Sequence, residues 1–317
     1  MITTMRNASL VGLVCALAGC PIGNNKFPKP RDLSKSWFID KVRLLAVQAE
    51  PAEIRPGESA RFTALVTNPE DASLTTVWLA CPPDPDDPGG IGFGCSIDPN
   101  IDLTSLDADA LAAAGFIGVD PFFPPVYTAP LDVLDGLDEV ARNEGVYVLV
   151  QAAVLPGDSF TTAPSDTDPP IDFNEVEAGY KRLVVSEAAS PNHNPVVSTL
   201  TVEGVIVTPE TVVEVDADED YAFGITLAEG TVETYTYVDT TGATVERTEE
   251  PYIHWYTDGG TMSEEITLFP FFEATWRAPL DSDPKLSGTV WAVIRDRRGG
   301  MTWTSFRWRL RTSAPLP

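Results

Sequence analysis

The chain is poor in the residues that carry most enzyme chemistry. It holds two histidines and four cysteines in 317 residues. His193 and His254 stand in separate segments. Strand alternation sets His254 on the face opposite Trp255, so neither histidine takes a catalytic or ligand role. No G-x-S-x-G, H-E-x-x-H or Walker loop is present. Ser282-Asp283-Pro284-Lys285 matches S-x-x-K in letters only, because Pro284 breaks the helix that would bring Ser and Lys together. No enzymatic activity is expected. Cations are scarce too: 21 Lys and Arg stand against 47 Asp and Glu, a net charge of -26. Phosphate neutralisation needs the opposite sign, so nucleic acid is not a partner. The acidic excess chiefly confers solubility. No run of 18 apolar residues exists, and no transmembrane helix is expected.

What is there begins at the N-terminus. Met1 to Asn7 carries one cation, Arg6, and Ala8 to Ala18 is apolar except for Ser9. A bilayer-spanning helix needs about 20 residues, so this shorter run suits the apolar core of a signal peptide. Leu17-Ala18-Gly19-Cys20 closes it and resembles the lipobox of bacterial lipoproteins. The resemblance implies a signal peptide over 1–19, cleavage before Cys20 and lipidation of Cys20. Membrane lipid would be a partner and the cell envelope the location, with the body facing the periplasm or the cell surface. In related lipoproteins aspartate after the cysteine favours the inner membrane; Pro21 here favours the outer membrane. Cys15 would leave with the signal peptide. Cys81 and Cys95 remain, and an oxidising compartment makes them a disulfide pair. Such a bridge contributes roughly 3 kcal/mol. Zinc at this pair would lack further Cys or His ligands nearby.

Residues 20–41 read as a tether, with Pro21, Pro28 and Pro30 and the cations Lys26, Lys29, Arg31, Lys35 and Lys41. Such a basic segment can lie against anionic headgroups. From Val42 onward, period-2 runs separated by Pro and Gly turns predict strands, and the short spacing predicts an all-β sandwich. The pattern then repeats. Thr199 to Val207 and Tyr221 to Leu227 follow the first strand pair, with Phe223 in the place of Phe62. Tyr252 to Tyr256 follows the Trp78 strand, Thr275 to Leu280 echoes Val126 to Leu131, and Gly288 to Val293 echoes Gly145 to Val150. Five elements in one order predict two copies of one domain, 42–187 and 196–317, joined by a linker at 188–195.

These residues resemble bacterial immunoglobulin-like domains. The marks are Pro56-Gly57-Glu58 before the second strand, Trp78 and Trp255, Tyr127-Thr128-Ala129-Pro130 and Trp276-Arg277-Ala278-Pro279, and the glycines Gly145 and Gly288. The second copy replaces the Pro-Gly-Glu turn with Asp218-Glu219-Asp220. The resemblance implies two tandem immunoglobulin-like β-sandwiches. Short helical insertions decorate the first, over Leu103 to Gly115 and Leu131 to Asn143.

Two surface features carry the remaining functional expectations. Asp216-Ala217-Asp218-Glu219-Asp220 starts like an EF-hand loop. Tyr221 stands where the turn glycine belongs and Leu227 where the bidentate glutamate belongs. Asp216, Asp218 and Asp220 thus remain only weak candidates for calcium, and no cofactor is expected. The C-terminal hairpin sets Arg307, Arg309 and Arg311 on one face, against Phe306, Trp308 and Leu310, with Arg297 and Arg298 in its turn. Residues 277–311 carry eight cations and three acids, a candidate patch for an anionic partner. The expected function is non-enzymatic binding, adhesion or scaffolding in the envelope, with a protein or glycan partner. The alternative is a calcium- or glycan-binding accessory module of an envelope enzyme complex.

Overall fold

The computed structural model describes residues 35–69, 71–81, 115–156, 176–238 and 241–311. Tertiary contacts divide them into two units. One is Ala46–Pro191. The other is Asn192–Pro317 together with Pro28–Leu45. The boundary falls inside the first strand, so each unit is taken by itself.

The first module contains β1 (Arg43–Glu50), β2 (Glu53–Ile54), β3 (Ser59–Thr67), β4 (Leu74–Cys81), β5 (Phe116–Asp120), β6 (Val126–Thr128), α1 (Glu139–Glu144), β7 (Val146–Pro156) and β8 (Glu177–Val185). Its sheets run β1-β3-β6 and β2-β8-β7-β4-β5. The second module contains β9 (Val197–Val202), β10 (Val205–Val207), β11 (Val212–Val215), β12 (Asp220–Leu227), β13 (Thr234–Val238), β14 (Thr244–Thr248), β15 (Tyr252–Thr257), β16 (Thr261–Met262), β17 (Ile266–Leu268), β18 (Glu273–Arg277), β19 (Ser287–Arg295) and β20 (Met301–Leu310). Its main sheets run β10-β9-β12-β18-β16 and β11-β20-β19-β15-β17, and β13-β14 stands apart as a hairpin.

The two modules share one topology. In each, the first strand pairs within one sheet, then the chain crosses and runs parallel to the last strand of the other sheet; among the described residues only the second module adds an edge, β10 beside β9. Glu53 and Ile54 pair parallel with Val184 and Val185. Val212 to Val215 pair parallel with Arg307 to Leu310. This strand order is that of the immunoglobulin fold, and the chain forms two tandem immunoglobulin-like β-sandwiches.

The cores explain the repeated aromatics. Trp78 is fully buried and its ring lies 6.1 Å from that of Phe62. In the second module Phe223 stands 5.8 Å from Trp255, 6.0 Å from Trp276 and 5.0 Å from Phe306. Trp308 closes on Trp276 at 5.5 Å. The equivalence extends to the turn before the second strand. Gly57 adopts φ 82° and donates to the Ala129 carbonyl at 3.0 Å. Asp218 adopts φ 61° and donates to the Pro279 carbonyl at 3.1 Å. Asp tolerates the left-handed region better than most residues, which is why it replaces glycine there.

Two expectations change on the structure, and a third falls outside the described residues. Trp37 and Ile39, read as tether, are buried in the second module, and Phe38 packs on its core. An extended aromatic-aromatic-aliphatic triplet has more to gain from burial than from solvent. Residues 103–114 lie outside the described residues. The second helical insertion shrinks to α1, capped by Asp138 Oδ1 accepting the Ala141 N–H at 2.9 Å. Ahead of it, residues 131–136 form turns, and Gly136 at φ 82° stops any longer helix.

Replacing Trp276 by Ala removes the ring that Phe223, Tyr221 and Trp308 all touch. The expected loss is about 3–5 kcal/mol, read as a lower urea midpoint for the second module by hydrogen exchange.

Candidate functional site

One end of the second module carries a polar cluster. The chain enters there at residues 192–196, the β13-β14 hairpin is inserted between β12 and β15, and the β19-β20 turn closes at residues 296–300. The entering chain is tied on both sides: the Ala228 N–H, just after β12, donates to the Val196 carbonyl at 2.8 Å, and the Met301 N–H donates to Asn194 Oδ1 at 3.0 Å.

Arg298 sits at the centre. Its Nη1 donates to Glu233 Oε2 at 2.9 Å and to Glu249 Oε1 at 3.1 Å. Its guanidinium carbon lies 4.3 Å from the Tyr235 ring centre. Glu233 and Glu249 flank the hairpin: the Glu249 N–H donates to the Glu233 carbonyl at 2.9 Å, and the Glu233 N–H donates to Glu249 Oε2 at 3.0 Å. The turn itself is held by Asp296, which is buried. Its Oδ1 accepts the N–H groups of Arg298 and Gly299 at 2.7 and 2.9 Å, and its Oδ2 accepts Asn192 Nδ2 at 3.0 Å. Gly300 is required here: an added Cβ would lie 2.1 Å from Asp296 Oδ2 and 2.6 Å from the His193 carbonyl. Burial pushes the Glu249 carboxyl up, the Asp296 charge adds to this, and the Glu233 N–H and Arg298 act against it.

The hairpin thus stands on a stiff base. One face carries Tyr235, Tyr237, Val245 and Arg247, paired as Tyr235–Arg247 and Tyr237–Val245. The Tyr235 and Tyr237 rings are 6.3 Å apart, and the Arg247 guanidinium lies 5.6 Å from Tyr237. Such a row offers π faces and cationic donors to a flat or ring-shaped partner. Sequence reasoning missed this hairpin: it lies between Tyr221 to Leu227 and Tyr252 to Tyr256, and its alternating Thr and Tyr carry no motif of a site.

The sequence-predicted residues are placed as follows. Arg298 belongs to this cluster. Arg297 takes φ 72° in the turn, 3.9 Å from Glu250 and 5.6 Å from the Tyr252 ring. The other arginines bond β11 and the residues that flank it, two of them as ion pairs. Arg309 Nε donates to Glu214 Oε1 at 2.9 Å, Arg311 to Asp216 Oδ2 at 2.5 Å, and Arg307 to the Glu210 carbonyl at 2.7 Å. The basic face is therefore offset locally by acids from a strand 95 residues away in sequence. Asp216, Asp218 and Asp220 do not converge. Asp216 meets Arg311, while Asp220 binds Arg277 through two bonds of 2.8 and 2.9 Å, with Asp218 at 3.9 Å. Among the described residues no group of three or more His, Cys, Asp or Glu could hold a metal ion.

His193 Nδ1 lies 2.6 Å from Glu233 Oε1 at the rim of the cluster. His254 is half-buried between Tyr252 and Tyr256, and burial holds its pKa below the ordinary value. Lys285 pairs with Asp258 at 2.7 Å, on a loop rather than a helix. Cys81 ends β4 and is buried; Cys95 and Cys20 lie outside the described residues.

No protein family and no curated protein matches the chain. Among solved structures it is similar to the two tandem V-type regions of VCBP3, a v-region-containing chitin binding protein. Identity is 13%, over 84% of this chain and 99% of that one, with TM-score 0.26. Dpr2 Ig1-Ig2, solved in complex with DIP-Theta Ig1-Ig3, gives 10% identity over 82% and 94%, with TM-score 0.20. Dimeric latent PorU from Porphyromonas gingivalis gives 10% over 87% of this chain and 24% of that one, with TM-score 0.22. At these values the likenesses add nothing to what the strand order already establishes.

Arg298→Met leaves the Glu249 carboxylate buried without its cation and is expected to cost about 3–5 kcal/mol at neutral pH. A carboxyl whose pKa is raised by folding stabilises the fold below its unfolded pKa and loses that contribution as pH rises through its folded pKa. The deficit of Arg298→Met should accordingly shrink on acidification, measured by denaturant titration across pH.

Proposed function

We propose that the chain is an envelope lipoprotein, anchored through a lipidated Cys20, that acts without catalysis as a binding or scaffolding protein. The lipobox-like Leu17-Ala18-Gly19-Cys20 supports the anchor, and the same oxidising compartment supports a Cys81–Cys95 bridge. The observation that carries the binding role is the inserted β13-β14 hairpin on its Arg298 clamp. Its length is not needed to close a sandwich, yet two carboxylates are buried or half-buried to hold it against the β19-β20 turn. Connecting loops on a rigid sandwich are where recognition usually resides. The row of half-buried Tyr235 and Tyr237 with exposed Arg247 suits a protein or glycan of the envelope. A net charge of -26 disfavours anionic partners over the body as a whole.

Cys20→Ser is expected to move the chain from the membrane fraction to the soluble fraction, and unchanged membrane retention would remove the anchor. Tyr237→Ala with Arg247→Ala should lower binding to isolated cell-wall glycan or to solubilised envelope proteins at least tenfold without shifting the melting temperature. Equal binding by this variant to both preparations would remove the hairpin as the recognition surface.

A further inference from the structure

The outer edge of β15 is covered in three successive ways. β17 pairs with it from Tyr252 to His254. Next, the Trp255 N–H donates to the Glu265 carbonyl at 2.9 Å. Beyond this point the edge would be open at Thr257, and it is filled from far away in sequence. The Thr257 N–H donates to the Trp37 carbonyl and the Ile39 N–H to the Thr257 carbonyl, both at 2.9 Å. Phe38 lies between them in a parallel bridge to Thr257.

Side chains anchor this contact. Ile39 is 1% exposed and Trp37 8%, and Phe38 packs against the same aromatic core. The flanks are polar: the Ser36 hydroxyl bonds the Glu265 carboxylate, and the Lys35 ammonium lies 4.8 Å from the Trp37 ring centre. Downstream, Asp40 and Lys41 form an exposed bend, and Arg295 Nη2 donates to the Leu45 carbonyl at 3.0 Å. Two backbone bonds bracketing one residue, with apolar anchors on each side, are the means by which a sheet edge takes up an extended peptide. Parallel pairing is also the weaker kind per residue. A segment held by so short a ladder opens before the sheet behind it.

We propose that the Thr257 edge is a strand-accepting site for an extended aromatic-aromatic-aliphatic segment, and that Trp37–Ile39 is its resident, displaceable occupant. This goes beyond the binding role argued above, because it depends neither on Cys20 nor on the β13-β14 hairpin.

The test uses a fluorescent peptide spanning residues 34–41, titrated by polarisation into the full chain carrying Trp37→Ser and Ile39→Ser. Saturable binding is expected, with at least tenfold weaker binding to the unaltered chain, whose own segment competes. The peptide N-methylated at Ile39 should lose at least tenfold, because the Thr257 carbonyl then has no donor. A folded variant that shows no saturable binding overturns the proposal, as does equal binding by the N-methylated peptide. If the variant does not fold, hydrogen exchange on the unaltered chain decides. A Thr257 amide exchanging at least tenfold faster than amides in the centre of β19 supports displaceability, and equal protection overturns it.

Discussion

The second module depends on one packing constraint: Phe223 must fill the space bounded by Trp255, Trp276 and Phe306. These four side chains come from β12, β15, β18 and β20, so a single aromatic group joins both sheets. Tilted and edge-on rings of this kind add about 0.5–1.5 kcal/mol per pair beyond the apolar area they bury. Close packing elsewhere follows from it. Gly259 and Gly288 approach the Trp308 ring so nearly that an added Cβ would stand 2.4 and 2.6 Å from it. Among the described residues the first module repeats the central contact with Phe62 and Trp78.

Much of this was legible in the sequence because a strand's period of two leaves a direct trace. Phe306, Trp308 and Leu310 are buried while Arg307, Arg309 and Arg311 are exposed, as alternation required. The repeated order of elements was legible for the same reason, and Phe223 does occupy the place of Phe62. What alternation does not encode is which strand lies alongside. The arginine face reads in the sequence as a basic solvent face and a candidate anionic-partner patch, and nothing local reveals that β11 runs parallel to β20 and lays Glu214 opposite Arg309. The acids of residues 216–220 read only as weak calcium candidates, and the local sequence does not show their arginine partners, which lie in β18 and just after β20. In both cases the neighbour across the sheet is what the local sequence leaves out.

The hairpin site was hidden for a different reason. Its determinant is a buried polar network that joins Asp296 and Arg298 of one turn to Glu233 and Glu249, which lie 65 and 49 residues before Arg298, with no motif spacing. Removing such charges from water is expensive, and the network persists only because each carboxylate is met by a guanidinium or by backbone N–H groups. A network of this kind fixes geometry more than it adds stability. Here the geometry it fixes is the attitude of an insertion relative to the turn beside it, within one module.

The two modules also differ in how they manage the same vulnerable edge. Unpaired strand edges invite further pairing, so folded proteins cover them. In the first module β5 covers β4 from Thr76 to Leu79, and the Gly115 carbonyl then accepts the Ala80 N–H at 2.7 Å, leaving little edge exposed. In the second module β17 is only three residues long, and the cover is completed by residues 37–39. Because the whole of the first module intervenes in sequence between that cover and β15, the second module cannot complete its edge until both stretches of chain are present. Its fold is therefore discontinuous in sequence although its topology is the same. A fragment beginning at Asn192 would keep the aromatic core yet present Thr257 with an unfilled edge.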